Sequence, residues 1–369
     1  MNIDLVGLEP IKALSYWRYT RLKRCQLSGA FPSSTKGPLI PRAKSGRAQI
    51  LGDIYHKLME SFHELTKKGA VTGKELRDEV NRIITVAAQS MRSEPATRHL
   101  GDPSLWPELA DAYRALSDLV DRRGTVRSNS QVEVKTENRL YSRDGLLFGE
   151  IDAYFIRPEG IDLVDYKSGS MMEGDSPKED YANQLYFYAY LIHENHGVYP
   201  RSLTLVGKDS ATVSIAPSLE KSIELANDMR TVLAHYNDQV SRGAPVERFA
   251  VPKIENCLFC DAKLVCSAFW KTASSMEFPP WAHVAIGTQA GHIVRSRVGG
   301  SSIEIATERS SLRSKRIKIA RIFEGRFPDL KDNPGQILAF TNLKQLIVGG
   351  QDLVEVTERS QIFLLGSDS

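Results

Sequence analysis

Few cysteines and no long apolar run occur in this sequence, and both absences restrict the class of protein. Four cysteines among 369 residues are too few for the disulfide framework of a secreted protein of this length. No uninterrupted apolar segment has the length needed to cross a membrane, and the first residues lack the charged and apolar pattern of a secretory signal. We therefore expect a cytoplasmic protein that has no membrane partner.

Acidic residues are missing from one segment, although the whole chain carries a net charge of only +3. Between Pro10 and Gly52 there is no Asp or Glu, whereas Lys and Arg recur and aromatic residues lie among them. Cations interleaved with aromatics are typical of nucleic-acid binding, although the same rings could pack the segment onto its domain. The cations that we expect to contact DNA here are Arg18, Arg21, Lys23 and Arg24.

A strand, a turn and a second strand are predicted between residues 149 and 169, the most informative stretch of the chain. Two apolar segments, rich in β-branched and aromatic residues, flank a sequence with turn chemistry. If Ile156 pairs with Ile161, the antiparallel register sets Asp152 opposite Asp165. The sequence therefore predicts two carboxylates that face each other across a hairpin.

Opposed carboxylates of this kind repel each other unless a positive charge offsets them. A divalent cation with oxygen ligands would do so, and Mg²⁺ or Mn²⁺ can activate water and stabilise charge on a phosphoryl group. Period-two alternation places Lys167 on the same face as Asp165, so an ammonium stands beside the predicted metal. Because both strands are mostly apolar, this pattern favours a phosphodiesterase site over a surface hairpin with solvated charges.

Helices are predicted on both sides of this hairpin. The apolar residues from about Ala48 recur at helical spacing and carry His56 beside the apolar stripe, and further helices are predicted over 74–91 and 105–120. Downstream, the helical stretch from Lys178 to Asn195 places Gln184 and Tyr188 on one face. Both side chains can hydrogen-bond a phosphate or the lysine, whereas a tyrosine-rich stripe alone is more often part of the core.

A strand is also predicted over residues 131–141, before the hairpin. Its Glu133 could be an additional acidic group of the site. We favour the interpretation that Glu133 is an exposed strand charge.

All four cysteines are used if the chain holds a metal with thiolate ligands. Cys257, Cys260 and Cys266 lie within ten residues, and the only other cysteine is Cys25. Free cysteines do not usually cluster in this way, so the count favours metal binding over packing. Zinc and an iron–sulfur cluster both fit four thiolates.

Short β-like runs fill the chain beyond Pro279, which predicts a small all-β barrel over residues 279–369. The runs are 283–287, 292–297, 302–306, 316–321, 336–340 and 353–356. An OB-like barrel that binds nucleic acid, through residues such as Arg316 and Lys318, is preferred over a dimerisation or packing module.

These motifs together resemble the PD-(D/E)xK nuclease superfamily. Within it, they resemble the RecB-like branch that carries an iron–sulfur cluster, as in the AddB nuclease domain and CRISPR-adaptation nucleases. The resemblance covers about residues 10–270, and Gln26 departs from it because related sequences often have proline after the first cysteine. The motifs are G-x-x-x-H ending at His56, G-x-I-D ending at Asp152, D-x-K at Asp165 and Lys167, Q-x-x-x-Y at Gln184 and Tyr188, and the four cysteines.

The resemblance implies an α/β fold with the mixed sheet of restriction endonucleases and a helical cap. Lys167 would orient the attacking water and stabilise negative charge, while Gln184 and Tyr188 would position the lysine or the DNA backbone. A 4Fe–4S cluster is implied on the four cysteines, with zinc as the alternative. The implied ligands of Mg²⁺ or Mn²⁺ are His56, Asp152, Asp165 and the carbonyl of Tyr166.

The sequence thus predicts a nuclease domain over residues 1–278, followed by the barrel. It has a helical part at about 48–125, a catalytic core at about 130–215 and the cysteine cluster at 257–266. The predicted activity is DNA hydrolysis by an exonuclease that favours single strands or DNA ends, in DNA repair or antiviral defence. The alternative is a non-catalytic nucleic-acid-binding subunit of a helicase–nuclease or defence complex. No G-x-x-x-x-G-K-S/T loop occurs, so the unwinding of a duplex would require a helicase partner.

Overall fold

The structure is a computed structural model. It describes residues 8–31, 47–68, 71–93, 101–110, 113–114, 132–207, 211–260, 262–296, 300–312, 314–322, 327, 330–348, 351–357 and 360–367. Half of the helix predicted over 105–120 lies outside these residues, and 107–110 and 113–114 are helical. None of the described helices is long and apolar enough to span a membrane.

The basic N-terminal segment forms two short helices, α1 (Tyr16–Arg24) and α2 (Gln26–Ala30). The side chain of Ser15 caps α1 by accepting a hydrogen bond from the backbone N–H of Arg18. Cys25 has an extended backbone and separates the two helices. Cys25, which the sequence predicts to bind a metal, therefore lies at the junction between α1 and α2.

Two longer helices, α3 (Arg47–Lys68) and α4 (Gly73–Ser93), form the predicted helical cap. Apolar residues recur every four positions along α3, so they form one buried face. They pack with α4 and with Phe155 and Tyr166 of the central sheet. The buried residues of α3 include Ile50, Ile54, Leu58 and Phe62.

A five-stranded mixed sheet follows, in the order β1-β2-β3-β6-β7. Neighbouring strands are antiparallel, except that β3 and β6 are parallel. The strands are β1 (Glu133–Tyr141), β2 (Phe148–Arg157), β3 (Gly160–Lys167), β6 (Ser202–Gly207) and β7 (Thr212–Ile215).

The crossover between the parallel strands contains a small hairpin, β4 (Met172–Glu173) and β5 (Ser176–Pro177), and then α5 (Glu179–His196). A parallel pair requires such a long connection. All residues of α5 from Leu185 to Ile192 are buried, and the helix ends at Gly197, whose φ of 72° forms a left-handed C-cap. The long helix α6 (Leu219–Ser241) packs against α5, and the side chain of its N-cap residue Ser218 accepts a hydrogen bond from the backbone N–H of Lys221.

The register between β2 and β3 is the predicted one, because Ile156 pairs with Ile161. The ladder extends one pair further, to Arg157 and Gly160, so the turn has two central residues. Gly160 has a φ of 135°, a conformation that residues with a Cβ rarely adopt. Glycine at this position therefore permits the tight turn that fixes the register.

Six strands form the C-terminal part, with the order β12-β10-β9-β8-β11-β13 and an additional pairing of β12 with β11. That pairing closes β8 to β12 into a five-stranded barrel, in which only β10 and β12 are parallel. The closed barrel confirms the predicted OB-like fold of this part of the chain. Its binding of nucleic acid remains a prediction. The strands are β8 (His283–Gln289), β9 (Ser301–Ser310), β10 (Arg316–Ile322), β11 (Gln336–Val348), β12 (Gln351–Glu355) and β13 (Gln361–Ser367).

The strand predicted over 292–297 is wrong for its described residues, 292–296. Val294 forms only an isolated bridge with Ser302. The backbone N–H of Ile293 donates 2.8 Å to the carboxylate of Asp332 rather than to a neighbouring strand. The backbone at Ile293 is thus bound by a side chain and not by the neighbouring strand that the composition predicted.

Apolar contacts join the barrel to the preceding part of the chain. Val284 and Ile286 of β8 and Phe363 of β13 belong to the same buried cluster as residues of α5 and α6. A separate cluster fills the barrel interior, around Ile303, Phe340 and Val354. The boundary near residue 279 remains a prediction, and removing the barrel would expose part of the shared core.

Candidate active site

Asp152 and Asp165 meet at the end of the ladder between β2 and β3. The pairing includes Ala153 with Val164, and the two aspartates are the next residues in the same register. Here the ladder gives way to a side-chain contact, because Oδ2 of Asp152 accepts a 2.7 Å hydrogen bond from the backbone N–H of Tyr166. This bond fixes one carboxylate oxygen of Asp152 and leaves the other available.

Lys167 contacts Asp165, as strand alternation predicts. The Nζ atom of Lys167 lies 2.5 Å from Oδ2 of Asp165, whose exposure is only 1%. Burial, followed by the negative charge of Asp152, raises the pKa of Asp165, while the ammonium of Lys167 acts in the opposite direction. The carboxylate of Asp165 therefore depends on a neighbouring positive charge to remain ionised.

The predicted pair Gln184 and Tyr188 extends this network from α5. Lys167 Nζ donates 2.9 Å to Oε1 of Gln184, and Nε2 of Gln184 donates 2.8 Å to the hydroxyl of Tyr188. Burial raises the pKa of Tyr188 well above its ordinary value, so its hydroxyl stays neutral. Gly149 permits this approach, because a Cβ there would lie 2.8 Å from Cε1 of Tyr188.

His56 reaches the same site from α3. Its Nδ1 atom lies 3.5 Å from Oδ1 of Asp152, the carboxylate oxygen that does not bind Tyr166. Burial lowers the pKa of His56, but the adjacent carboxylates of Asp152 and Asp165 outweigh it and the net pKa is raised. One turn earlier, Gly52 lets α3 approach the end of β3, since a Cβ would lie 3.3 Å from the Ser168 hydroxyl.

Glu137 also belongs to the site, and the sequence reasoning missed it. The pairs between β1 and β2 on either side of it are Thr136 with Ala153 and Asn138 with Ile151, so Glu137 faces Asp152. Its φ of 45° is left-handed, which is uncommon for a residue with a side chain.

The position of Glu137, partly buried and beside Asp152, is electrostatically unfavourable for an ionised carboxylate. Burial and the charge of Asp152 raise the pKa of Glu137 to about 7. Glu133, which the sequence offered instead, is exposed and forms a 2.6 Å ion pair with Lys135. The favoured interpretation of Glu133 as a surface charge is confirmed.

Three of these residues can converge on one cation. The ligand atoms of His56, Glu137 and Asp152 all lie within 4.8 Å of one another. One imidazole nitrogen and two carboxylates suit a divalent ion such as Mn²⁺ or Mg²⁺. Asp165 lies beside this set in its ion pair with Lys167, and its predicted role as a ligand remains a prediction, as does that of the Tyr166 carbonyl.

The four cysteines come together from both ends of the nuclease region. They line a common cavity between the α1–α2 junction and residues 250–269, which include α7 (Ile254–Cys257) and the start of α8 (Ser267–Thr272). All four are free thiols. Burial, reinforced by the neighbouring cysteines, raises the pKa of Cys257 to about 12, and burial raises that of Cys266 to about 11.

Backbone groups are also directed at the sulfurs. The N–H of Val251 donates 3.3 Å to Sγ of Cys25, and the N–H of Phe269 donates 3.3 Å to Sγ of Cys266. Such bonds stabilise thiolates, which metal ligation requires. The donor set therefore fits a metal centre.

The predicted DNA-binding cations occupy different environments. Arg18 donates 3.0 Å to the carbonyl of Gly29, and Lys23 pairs with Asp228 at 2.9 Å. Arg316 and Lys318 are exposed residues of β10, the strand that pairs with β9. Contact of these cations with DNA remains a prediction.

Comparison with known proteins places this geometry in a family. A family model described as the PD-(D/E)XK nuclease superfamily matches residues 13–267. A search of curated proteins gives no match. A solved structure entitled "Crystal structure of SSO0001" is similar at 16% identity, covering 50% of this chain and 80% of that chain, with a TM-score of 0.25. Because the family model spans most of the chain and includes both aspartates and the lysine of the site, the protein belongs to the PD-(D/E)XK nuclease superfamily.

Proposed function

We propose that this protein is a metal-dependent deoxyribonuclease that degrades DNA from its ends, favours single strands and acts in DNA repair or antiviral defence. Membership of the superfamily implies a nuclease that hydrolyses phosphodiester bonds. The single observation that supports the DNA hydrolase best is the junction of Asp152, Asp165 and Lys167, with His56 and Glu137 beside it. These residues supply candidate ligands for a cation, with a lysine held beside them.

The proposed cation is Mg²⁺ or Mn²⁺. His56, Glu137 and Asp152 would hold it, and Asp165 and the carbonyl of Tyr166 are further ligands that the family leads us to expect. When bound, the ion would polarise the scissile phosphate and lower the pKa of water. Burial, followed by repulsion from Asp152, raises the pKa of Glu137, and the positive charge of a cation would offset both effects.

Lys167 is the proposed positioning group for the attacking water. A lysine ammonium has three N–H donors, and within the described residues two of them are directed at Asp165 and Gln184. The third can contact the water or a phosphate oxygen, where the positive charge stabilises the negative charge that develops during hydrolysis. Tyr188 holds Gln184 in place, so the lysine is fixed before substrate binds.

We propose a 4Fe–4S cluster on Cys25, Cys257, Cys260 and Cys266. The four cysteines line one cavity, and four thiolates suit either this cluster or a single tetrahedral zinc. The order of the motifs along the chain, with one N-terminal cysteine and three C-terminal ones, resembles iron–sulfur nucleases and supports the cluster. Zinc is the alternative.

A non-catalytic nucleic-acid-binding subunit is the second candidate. It would use the fold, the cysteine centre and the OB-like barrel without chemistry. The intact set of two aspartates, a lysine and a hydrogen-bonded glutamine argues against it, because a binding subunit does not need a buried ion pair. A helicase partner is proposed in either case for action on a duplex.

Cleavage of linear and circular DNA tests the proposal. Full-length protein is incubated with end-labelled linear DNA and with circles, single- and double-stranded, in Mg²⁺, Mn²⁺ or EDTA. We expect loss of linear single strands with either ion, none in EDTA, and resistance of circles. Cleavage of circles would contradict the exonuclease, and tight binding without any cleavage would favour the accessory subunit.

A further inference from the structure

One face of α1 carries a stripe of residues that the proposed chemistry does not use. Trp17, Arg21 and Arg24 follow one another at intervals of four and three, so they share one side of the helix. Trp17 is 56% exposed, and the guanidinium carbon of Arg21 lies 4.5 Å from the centre of its ring. Arg18 and Lys23, in contrast, are directed at Gly29 and Asp228.

The end of this stripe lies close to the catalytic lysine. Arg24 forms an exposed ion pair of 3.0 Å with Asp180 at the start of α5. The ring of the next residue, Tyr181, lies 4.7 Å from the ammonium of Lys167. Because exposed ion pairs are weak, a phosphate can compete with Asp180 for Arg24. A strand bound along α1 would therefore lead to Lys167.

The same stripe is joined to the loop that carries the cysteines. Ser28 accepts a 3.0 Å hydrogen bond from Nε of Arg21 and also hydrogen-bonds the side chain of Cys260. Nδ2 of Asn256 donates 3.1 Å to the carbonyl of Arg24. The helix and the cysteine loop therefore form a continuous surface.

The cysteine loop presents a second exposed ring. Phe259, one residue before Cys260, is 72% exposed, and its ring centre lies 6.0 Å from that of Trp281. The loop is held in place by Lys263, whose Nζ donates 2.8 Å to the carbonyl of Leu258. A ring with this exposure contributes little to packing, whereas nucleic-acid bases stack on such rings.

We propose that Trp17, Arg21, Arg24 and Phe259 form a track for single-stranded DNA that leads from Lys167 to the cysteine loop. Unpaired bases stack on the two rings, and phosphates contact the two arginines, a combination that sequence-independent single-strand binding uses. A duplex offers phosphates but hides the faces of its bases, so the rings favour a single strand. The track rests on the proposed nuclease function, because it describes how that site receives its substrate.

Equilibrium binding tests the track. Full-length protein with Lys167→Ala, which leaves DNA intact, is titrated against fluorescein-labelled oligothymidylate, and anisotropy gives Kd. We expect Trp17→Ala and Phe259→Ala each to raise Kd about tenfold. Phe259→Trp keeps a ring and leaves Kd within about twofold, as does the control Leu105→Ala, which truncates a side chain that is 81% exposed. Arg21→Gln reduces the slope of log K against log salt by about 0.7.

Two further measurements make the result decisive. The unfolding midpoint and the metal content of each variant show whether it keeps its fold. If an alanine variant does not fold, Trp17→Leu or Phe259→Leu is used in its place. Unchanged Kd in both folded ring variants overturns the track, and so does an equal loss of affinity for a blunt duplex.

Cleavage of the same oligonucleotide by protein that retains Lys167 separates the two proposals. Cleavage with unchanged Kd in the ring variants rejects the track alone. Absence of cleavage with weakened binding in the ring variants supports the track and rejects the nuclease function.

Discussion

Lys167 and Asp165 form a nearly buried ion pair, with 2.5 Å between Nζ and Oδ2 and side-chain exposures of 13% and 1%. The removal of two charges from water is costly, and the attraction between them offsets this cost only when further polar bonds are present. Gln184 supplies one such bond to the lysine. A buried pair of this kind contributes little to the net free energy of folding, which is consistent with a role in catalysis.

We predict that breaking this pair destabilises the fold more than removing it. Lys167→Met leaves the carboxylate of Asp165 buried without its partner, and Asp165→Asn leaves the ammonium unpaired, so each should cost about 3 kcal/mol. The double variant should be within about 1 kcal/mol of the native protein. Urea unfolding without divalent ions measures these values. Additive losses in the double variant would show that the two side chains do not interact in this way.

Glu137→Gln is expected to weaken the binding of Mn²⁺ by at least about tenfold, because it removes one charged ligand of the triad. The matched control is Glu133→Gln on the same strand, where Lys135 is the partner. Calorimetric titration of the full-length protein with Mn²⁺ gives both affinities. Equal affinities for the two variants would exclude Glu137 from the cation site.

Asp162 should make stability depend on pH in the acid range. The hydrogen bonds from Arg201 outweigh burial and, with those from Ser202 and Arg157, lower the pKa of Asp162 to about 2 from an ordinary 3.8. A depressed folded-state pKa stabilises the protein above the unfolded pKa, and this contribution is lost as the pH falls from about 4 to about 2. It amounts to roughly 2 kcal/mol.

The measurement for Asp162 is urea unfolding of Asp162→Asn and native protein at several pH values. The stability difference should be largest above pH 4 and shrink as the pH falls. Asp238→Asn serves as control, because Asp238 pairs with Arg242 only within an exposed helix turn. A difference that is independent of pH between about 2 and 5 would contradict the assignment.

Cys25→Ser is expected to remove the metal centre and to unfold the segment that carries it. Structural metal binding contributes directly to folding, so we expect a loss of at least about 3 kcal/mol, or roughly 4 °C in Tm for a chain of this length. Anaerobically purified native protein should contain about four irons per chain, as a 4Fe–4S cluster requires. Stoichiometric zinc without iron would contradict the cluster while leaving a metal centre in place.

The carboxylate hairpin could be predicted from sequence because its register depends on local features. Turn residues and the pairing of Ile156 with Ile161 determine which residues face each other, and Asp152, Asp165 and Lys167 follow from alternation. The order of motifs along the chain similarly indicated the fold around them. Turn chemistry and strand alternation depend on residues that are close in sequence, and the structure has the register that they predict.

Glu137 could not be predicted by the same rules. Its position opposite Asp152 depends on the register of β1 with β2, which is set by the irregular connection of residues 142–147. Within that connection, the carboxylate of Asp144 accepts hydrogen bonds from Ser142 and from the N–H of Leu146. No residue pattern in the strand itself signals this register.

The basic N-terminal segment shows a related limit. Composition does not distinguish between Arg18, Arg21, Lys23 and Arg24, whereas in the structure these residues lie on different sides of α1. Only tertiary contacts, such as that of Lys23 with Asp228, reveal which cations face other parts of the chain. Charge counts therefore indicate a polyanion partner without identifying the binding face.

Cleavage of end-labelled single-stranded DNA by three full-length proteins tests the central claim most directly. These are the native protein, Lys167→Ala and the control Lys221→Ala, whose lysine lies on α6 beside the ring of Tyr186. With Mg²⁺ or Mn²⁺, we predict cleavage by the native and control proteins and a loss of at least about a hundredfold in Lys167→Ala. Equal cleavage by all three proteins, or none by the native protein, would contradict a nuclease that uses this site.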